Sequence, residues 1–67
     1  MTVKREFKNR LGIVQLQWYE DENLYAVWWD AREHAYIGGF ETYRYWQDAM
    51  KMYQFQVYWL KDNEKNV

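Results

Sequence analysis

The chain has 67 residues, with five tryptophans, seven tyrosines and three phenylalanines but no proline, cysteine or serine. This length allows one domain that buries about 60% of its unfolded surface, which leaves little stability for a deep substrate cleft. The missing cysteines exclude disulfides, thiolate metal sites and a thiol nucleophile. Apolar runs are too short for a membrane helix or a secretory signal, so we expect a soluble, intracellular protein of the cytoplasm.

The net charge of −1 hides an uneven distribution, because residues 1–10 carry +3 and residues 11–67 carry −4. The charged residues of the first segment are Lys4, Arg5, Lys8 and Arg10 against Glu6. We therefore predict a basic N-terminal arm (1–10), a single α+β domain (11–61) and a charged C-terminal tail (62–67). Two interpretations of the arm stay open, namely a solvated, frayed terminus and a segment that binds a phosphate backbone or an acidic partner.

From Leu11 onward the side chains alternate with a period of two, which is typical of half-buried strands. The predicted strands cover residues 11–19, 24–30 and 34–40, joined by turns at 20–23 and 31–33. Three strands with short connections predict an antiparallel meander. Gly38 and Gly39 indicate a bulge, a strand end or a close approach of the backbone.

After the third strand the period becomes helical. Thr42 is a candidate N-cap, and we predict a helix from residue 43 to about residue 53. Its apolar face has the spacing i, i+3, i+4 and i+7, formed by Trp46, Ala49, Met50 and Tyr53. Alternation after residue 53 predicts a fourth, C-terminal strand and the order β-β-β-α-β, while the alternative is that residues 54–60 extend the helix.

One short helix covers only one face of such a sheet, so the other face meets water or a partner. A consistent assignment turns Tyr25, Val27 and Trp29 toward the helix and leaves Trp28 outward, near Gln15 and Gln17. An exposed aromatic patch on a small protein usually marks an interaction surface. The alternative is that the domain uses aromatic residues on both faces only to gain buried area.

The residues that could carry chemistry do not form a recognisable catalytic or metal-binding pattern. His34 is the only histidine, and no acid pair, hydroxyl or thiol can be placed beside it from spacing. Glu20, Asp21 and Glu22 lack the alternating ligands and internal glycine of a calcium loop. We therefore expect no enzyme, no catalytic residue, no cofactor and no metal site.

Several short stretches resemble a known DNA-binding pattern over about residues 11–53. They are Gly12-Ile13-Val14, Tyr25-Ala26, Asp30-Ala31-Arg32, the run Tyr36-Ile37-Gly38-Gly39-Phe40-Glu41-Thr42, and Ala49 with Tyr53. This pattern is similar to the three-stranded-sheet-plus-helix domain of plant ethylene-response factors and of the N-terminal arm-binding domains of tyrosine-type integrases. The resemblance implies a sheet face that enters a DNA major groove. Where that family has several arginines, however, this chain has Gln15, Gln17, Trp28, Asp30 and Tyr36.

We predict a protein-binding function, either with a partner protein or through self-association on the same sheet face. The expected contact residues are Trp28, Tyr36, Tyr19, Gln15, Gln17, Glu20, Asp21 and Glu22. Tryptophan and tyrosine are typical hot-spot residues, and the three acids would steer a basic partner. By analogy, small chains of this type suit regulators or inhibitors, including those of phages and mobile elements.

The alternative function is DNA binding through the sheet face and the basic arm. Its expected contacts are Lys4, Arg5, Lys8, Arg10, Gln15, Gln17, Trp28 and Arg32. Glutamine and aromatic side chains suit contacts with bases, and the arm would bind phosphates. The charge of −4 on the rest of the chain argues against it, because lysine and arginine supply most of the affinity for a phosphate backbone.

Overall fold

A four-stranded antiparallel sheet and one long helix make up the computed structural model of the protein, which describes residues 1–32 and 37–65. The elements, in chain order, are β1 (Thr2–Lys8), β2 (Gly12–Tyr19), β3 (Leu24–Ala31), β4 (Gly39–Tyr43) and α1 (Trp46–Glu64). Each strand pairs with its sequence neighbour, so the spatial order is β1-β2-β3-β4. The predicted α+β class, with an antiparallel sheet and one helix packed on one face, is confirmed.

The pairing of β2 with β3 decides which side chains face α1. Val14 lies opposite Trp29, and Leu16 lies opposite Val27. These residues belong to or pack against the buried cluster, together with Ala49, Tyr53 and Leu60 of α1. Gln15 lies opposite Trp28 on the other side of the sheet. Strand alternation had predicted this division, because successive side chains in a strand point to opposite faces.

The first strand corrects the prediction of a separate basic arm. Thr2–Lys8 pairs antiparallel with β2, and its register shifts between Val3 and Arg5. Alternation then turns Arg5 and Phe7 toward the helix side, opposite Leu16 and Val14. The charges mark this segment as an edge strand, since lysines, arginines and bulges are common means of protecting a sheet edge from further pairing.

The C-terminal half corrects the helix prediction. The helix begins at Trp46, and Thr42 lies within β4 instead of capping it; the N-cap residue is Tyr45, with no side-chain cap hydrogen bond. The predicted C-terminal strand is wrong, because α1 continues through that region to Glu64 and includes the first part of the predicted tail. The buried residues of the helix repeat every three or four positions, at Ala49, Tyr53, Gln56 and Leu60.

Both ends of α1 are held against the sheet. At its start, the Trp46 ring packs edge-on against Tyr25 with ring centroids 5.4 Å apart, and the Arg5 guanidinium lies 5.3 Å from the Trp46 ring centroid. At its end, the Asn9 side-chain amide donates to the Leu60 carbonyl at 3.0 Å. The Arg10 backbone N–H donates to the Glu64 carboxylate, also at 3.0 Å. These contacts fix the helix along one face and leave the other face uncovered.

Candidate functional site

The side of the sheet turned away from α1, called the open face below, carries a row of side chains that crosses all four strands. Glu6 pairs with Gln15, Gln15 with Trp28, and Trp28 with Phe40. Phe40 is 51% exposed and Trp28 is half-buried. The remaining open-face residues, placed by the same registers, are Val3, Lys8, Ile13, Gln17, Tyr19, Leu24, Ala26, Asp30 and Thr42.

A chain of side-chain hydrogen bonds orders the β2 part of this face. The Tyr19 hydroxyl donates to Gln17 Oε1 at 2.8 Å, and Gln17 Nε2 donates to Gln15 Oε1 at 2.9 Å. Gln15 Nε2 in turn donates to Glu6 Oε1 at 2.7 Å. Gln17 is only 5% exposed, although it lies on the face that the helix leaves uncovered. Such a connected chain restricts the rotamers of all four side chains and so holds the face in one arrangement.

Beside these hydrogen-bonded side chains lies a small cavity of about 240 Å³, lined by Tyr19, Glu22, Leu24, Phe40 and Thr42. Along β3, the small Ala26 side chain lies between Leu24 and Trp28 on the same face, which leaves room between the larger groups. The volume is below the usual 300–1,000 Å³ or so of sites for drug-sized ligands. Its size suits a single side chain of a partner better than a free small molecule.

Turn geometry fixes the acidic rim of the cavity. The hairpin turn at residues 20–23 connects β2 to β3, and the Asn23 backbone N–H donates to the Glu20 carbonyl at 3.2 Å. Asn23 has a φ of 56°, a left-handed conformation that asparagine tolerates better than most residues. The exposed Glu20, Asp21 and Glu22 therefore stand together at one end of the open face.

The structure separates the basic residues that the DNA-binding alternative brings together. Lys8 lies on the open face, whereas Arg5 lies on the helix side of the sheet against Trp46. Arg32 is attached to the turn between β1 and β2, where its guanidinium donates to the Asn9 carbonyl at 3.2 Å. Lys4 falls in the register shift of β1, and Arg10 lies in the turn that follows it.

Of the predicted protein-binding residues, Trp28, Tyr19, Gln15 and Gln17 share the open face, and Glu22 lines its cavity. Sequence reasoning missed Phe40, which it treated as the end of a strand. The signal was available in the alternation, because Phe40 and Thr42 share one face of β4. His34 and Tyr36 lie outside the described residues.

A second surface lies between β4 and α1. A shallow groove of about 480 Å³ is lined by Tyr43, Asp48, Lys51, Met52 and Phe55. Burial, the hydrogen bond to Glu41 and the negative charges of Glu41 and Asp48 raise the pKa of Tyr43 to about 12. Further along the outer side of the helix, Tyr58 is 67% exposed. Here the exposed Phe55 and Tyr58 rings stand on the outer surface of the helix.

Two further findings concern residues 1–32 and 37–65. Among them, no three histidine, cysteine, aspartate or glutamate side chains come together as possible metal ligands. No helix of this part of the chain combines the length and apolar character that crossing a membrane requires.

Comparisons of the chain with models of protein families, with curated proteins and with solved structures give no match.

Proposed function

We propose that this protein is a non-enzymatic binding module that captures a partner protein on the open face of its sheet. The observation that carries the proposal is the row Gln15–Trp28–Phe40, in which aromatic side chains stand on rigid strands beside an ordered polar chain. Aromatic side chains are enriched at the centres of protein interfaces and supply many of their hot spots. Because the backbone of both anchors is already ordered by strand pairing, binding costs less conformational entropy.

Charge favours a basic partner over a second copy of the same chain. Among the described residues whose face the strand registers define, Lys8 is the one basic side chain of the open face and its hairpin tip. The acidic side chains there are Glu6, Glu20, Asp21, Glu22 and Asp30. A symmetric dimer through this face would bring like charges together, which opposes association. The same charge also opposes approach of a phosphate backbone.

The proposal can be tested with a random peptide display library selected against the folded protein. We expect selected peptides to combine lysine or arginine with an aromatic or aliphatic residue. Phe40→Ala should weaken their binding at least tenfold, because Phe40 is an exposed anchor whose truncation spares the core. Tyr58→Ala is the control, since it removes an exposed aromatic ring from α1, away from the open face, and should leave binding unchanged.

Trp28→Ala should weaken the same peptides, provided that its melting curve shows the variant folded. Peptides that bind both aromatic variants as well as the original protein, or that lose affinity with Tyr58→Ala instead, would contradict the proposal.

A titration with a generic DNA duplex tests the alternative function, DNA binding. Amide shifts on the open face at about 50 mM salt that vanish near 200 mM would favour DNA binding, because phosphate contacts depend steeply on salt.

A further inference from the structure

We infer that the cavity beside Phe40 is a binding site for one arginine side chain of the partner protein. This inference rests on the proposed function and adds the chemical identity of the group that enters the open face. The cavity has a single ionisable carboxylate in its lining, from Glu22, and two aromatic rings, from Tyr19 and Phe40. Leu24 and Thr42 complete it.

The lining matches the two parts of an arginine side chain. The aliphatic stem would lie along Leu24 and Phe40, since long cationic side chains commonly bury their methylene groups against apolar surface. The planar guanidinium would stack on an aromatic ring and donate to the Glu22 carboxylate. Lysine would satisfy the charge but lacks the planar group, so arginine fits this combination better.

The cavity is prepared for this ligand before it binds. The Tyr19 hydroxyl donates to Gln17 Oε1 at 2.8 Å, which fixes the ring that forms one wall. Phe40 lies on β4 directly opposite Trp28 of β3, so strand pairing sets the position of its backbone. In the described part of the chain, no basic side chain lines the cavity to neutralise Glu22. The neighbouring Glu20 and Asp21 extend the negative charge at its rim and attract a cation from solution.

The inference is tested by amide chemical-shift titration of the folded protein with N-acetyl-arginine amide and, separately, with its neutral isostere N-acetyl-citrulline amide. We expect arginine to shift the amides around Tyr19, Glu22, Leu24 and Thr42, and to bind about tenfold more tightly than citrulline. The lysine analogue should bind more weakly than arginine. Equal binding of arginine and citrulline, or shifts located elsewhere, would overturn the inference.

Two charge-removing variants make the test specific. Glu22→Gln should reduce arginine affinity about tenfold, whereas Glu20→Gln removes the same charge from the same turn without touching the cavity and should change it far less. Equal effects of both variants would mean that arginine responds only to the overall charge of the tip, which contradicts a defined site.

The outcome also separates this inference from the proposed function. Peptides that depend on Phe40 and Trp28, yet contain no arginine and bind Glu22→Gln normally, would refute the arginine site while leaving the protein-binding face intact. Peptides whose affinity is unchanged by Phe40→Ala and by Trp28→Ala would refute the proposed function itself.

Discussion

The two faces of the sheet are both rich in aromatic residues, but the rings have different neighbours on each face. On the face that α1 packs against, called the covered face below, Trp18 and Tyr25 lie with ring centroids 4.6 Å apart. Trp46 of α1 packs on Tyr25. On the open face, Trp28 and Phe40 stand beside a chain of hydrogen-bonded polar side chains without a helix above them. The first arrangement stabilises the fold, whereas the second leaves aromatic surface accessible to a partner.

The adjacent Trp28 and Trp29 give the sharpest test of this difference. Trp29 packs against the buried cluster, so Trp29→Ala should lower the free energy of unfolding by about 3–5 kcal/mol. Trp28 is half-buried on the open face and does not belong to that cluster, so Trp28→Ala should cost only about 1–2 kcal/mol, because it opens no cavity beneath α1. Urea unfolding followed by circular dichroism measures both values.

The large loss for Trp29→Ala is comparable with the whole stability of a domain of this size, so the variant is best measured with a stabilising osmolyte present. The original protein and Trp28→Ala, measured in the same buffer, are the controls. Equal losses for both variants would mean that Trp28 is as much a core residue as Trp29, and the contrast between the faces would then fail.

Gly39 tests how tightly the covered face is packed at the β4 edge. It lies opposite Trp29, and a Cβ on it would stand 2.5 Å from the Trp29 ring. We therefore expect Gly39→Ala to cost about 1–3 kcal/mol, the usual range for overpacking. In a Trp29→Leu background the same substitution should cost much less, since the obstructing ring is gone. Additive losses would show that the ring is not the cause.

The division of the sheet into two faces was predictable from the sequence, because a strict period of two allows only two assignments for each strand. The outward position of Trp28 followed from its alternation with Val27 and Trp29. Strand β1 was missed because its charged residues, Lys4, Arg5 and Lys8, look like a solvated arm. Pairing of β1 with β2 depends on both strands together, so the composition of residues 1–10 alone does not report it.

The end of α1 was mistaken for a strand for a related reason. Phe55, Val57 and Trp59 alternate along the chain, and β-branched and aromatic residues favour strands. The helical alternative was visible in the seven-residue spacing of Tyr53 and Leu60, both buried against the sheet. Tertiary packing decided the outcome, since exposed Phe55 creates the misleading alternation without contributing to the buried face.

Gln17 tests whether the polar chain orders the open face. Gln17→Leu removes both of its side-chain hydrogen bonds, to Gln15 and from Tyr19, and should cost about 1 kcal/mol. Tyr19→Phe should cost about half as much, and the double variant less than the sum, because the two changes remove a shared hydrogen bond. A gain in stability for Gln17→Leu would show that the polar chain opposes folding, so that only function could explain its presence.

The effect expected at Tyr43 appears only at alkaline pH, and it locates the edge of the covered face. Its pKa is raised to about 12, first by burial and then by the hydrogen bond to Glu41 at 2.7 Å. A raised pKa means that the folded state holds the phenol proton more tightly than the unfolded state. The resulting stability is complete below pH 10 and is lost as the pH rises from about 10 toward 12. Over that interval the original protein should lose more stability than Tyr43→Phe, as measured by urea unfolding at each pH.

Glu41→Gln should bring the spectroscopic pKa of Tyr43 back toward 10, because it removes the charge and weakens the hydrogen-bond acceptor. A phenol that titrates near pH 10 in the original protein would place Tyr43 in open solvent, outside the face that α1 covers.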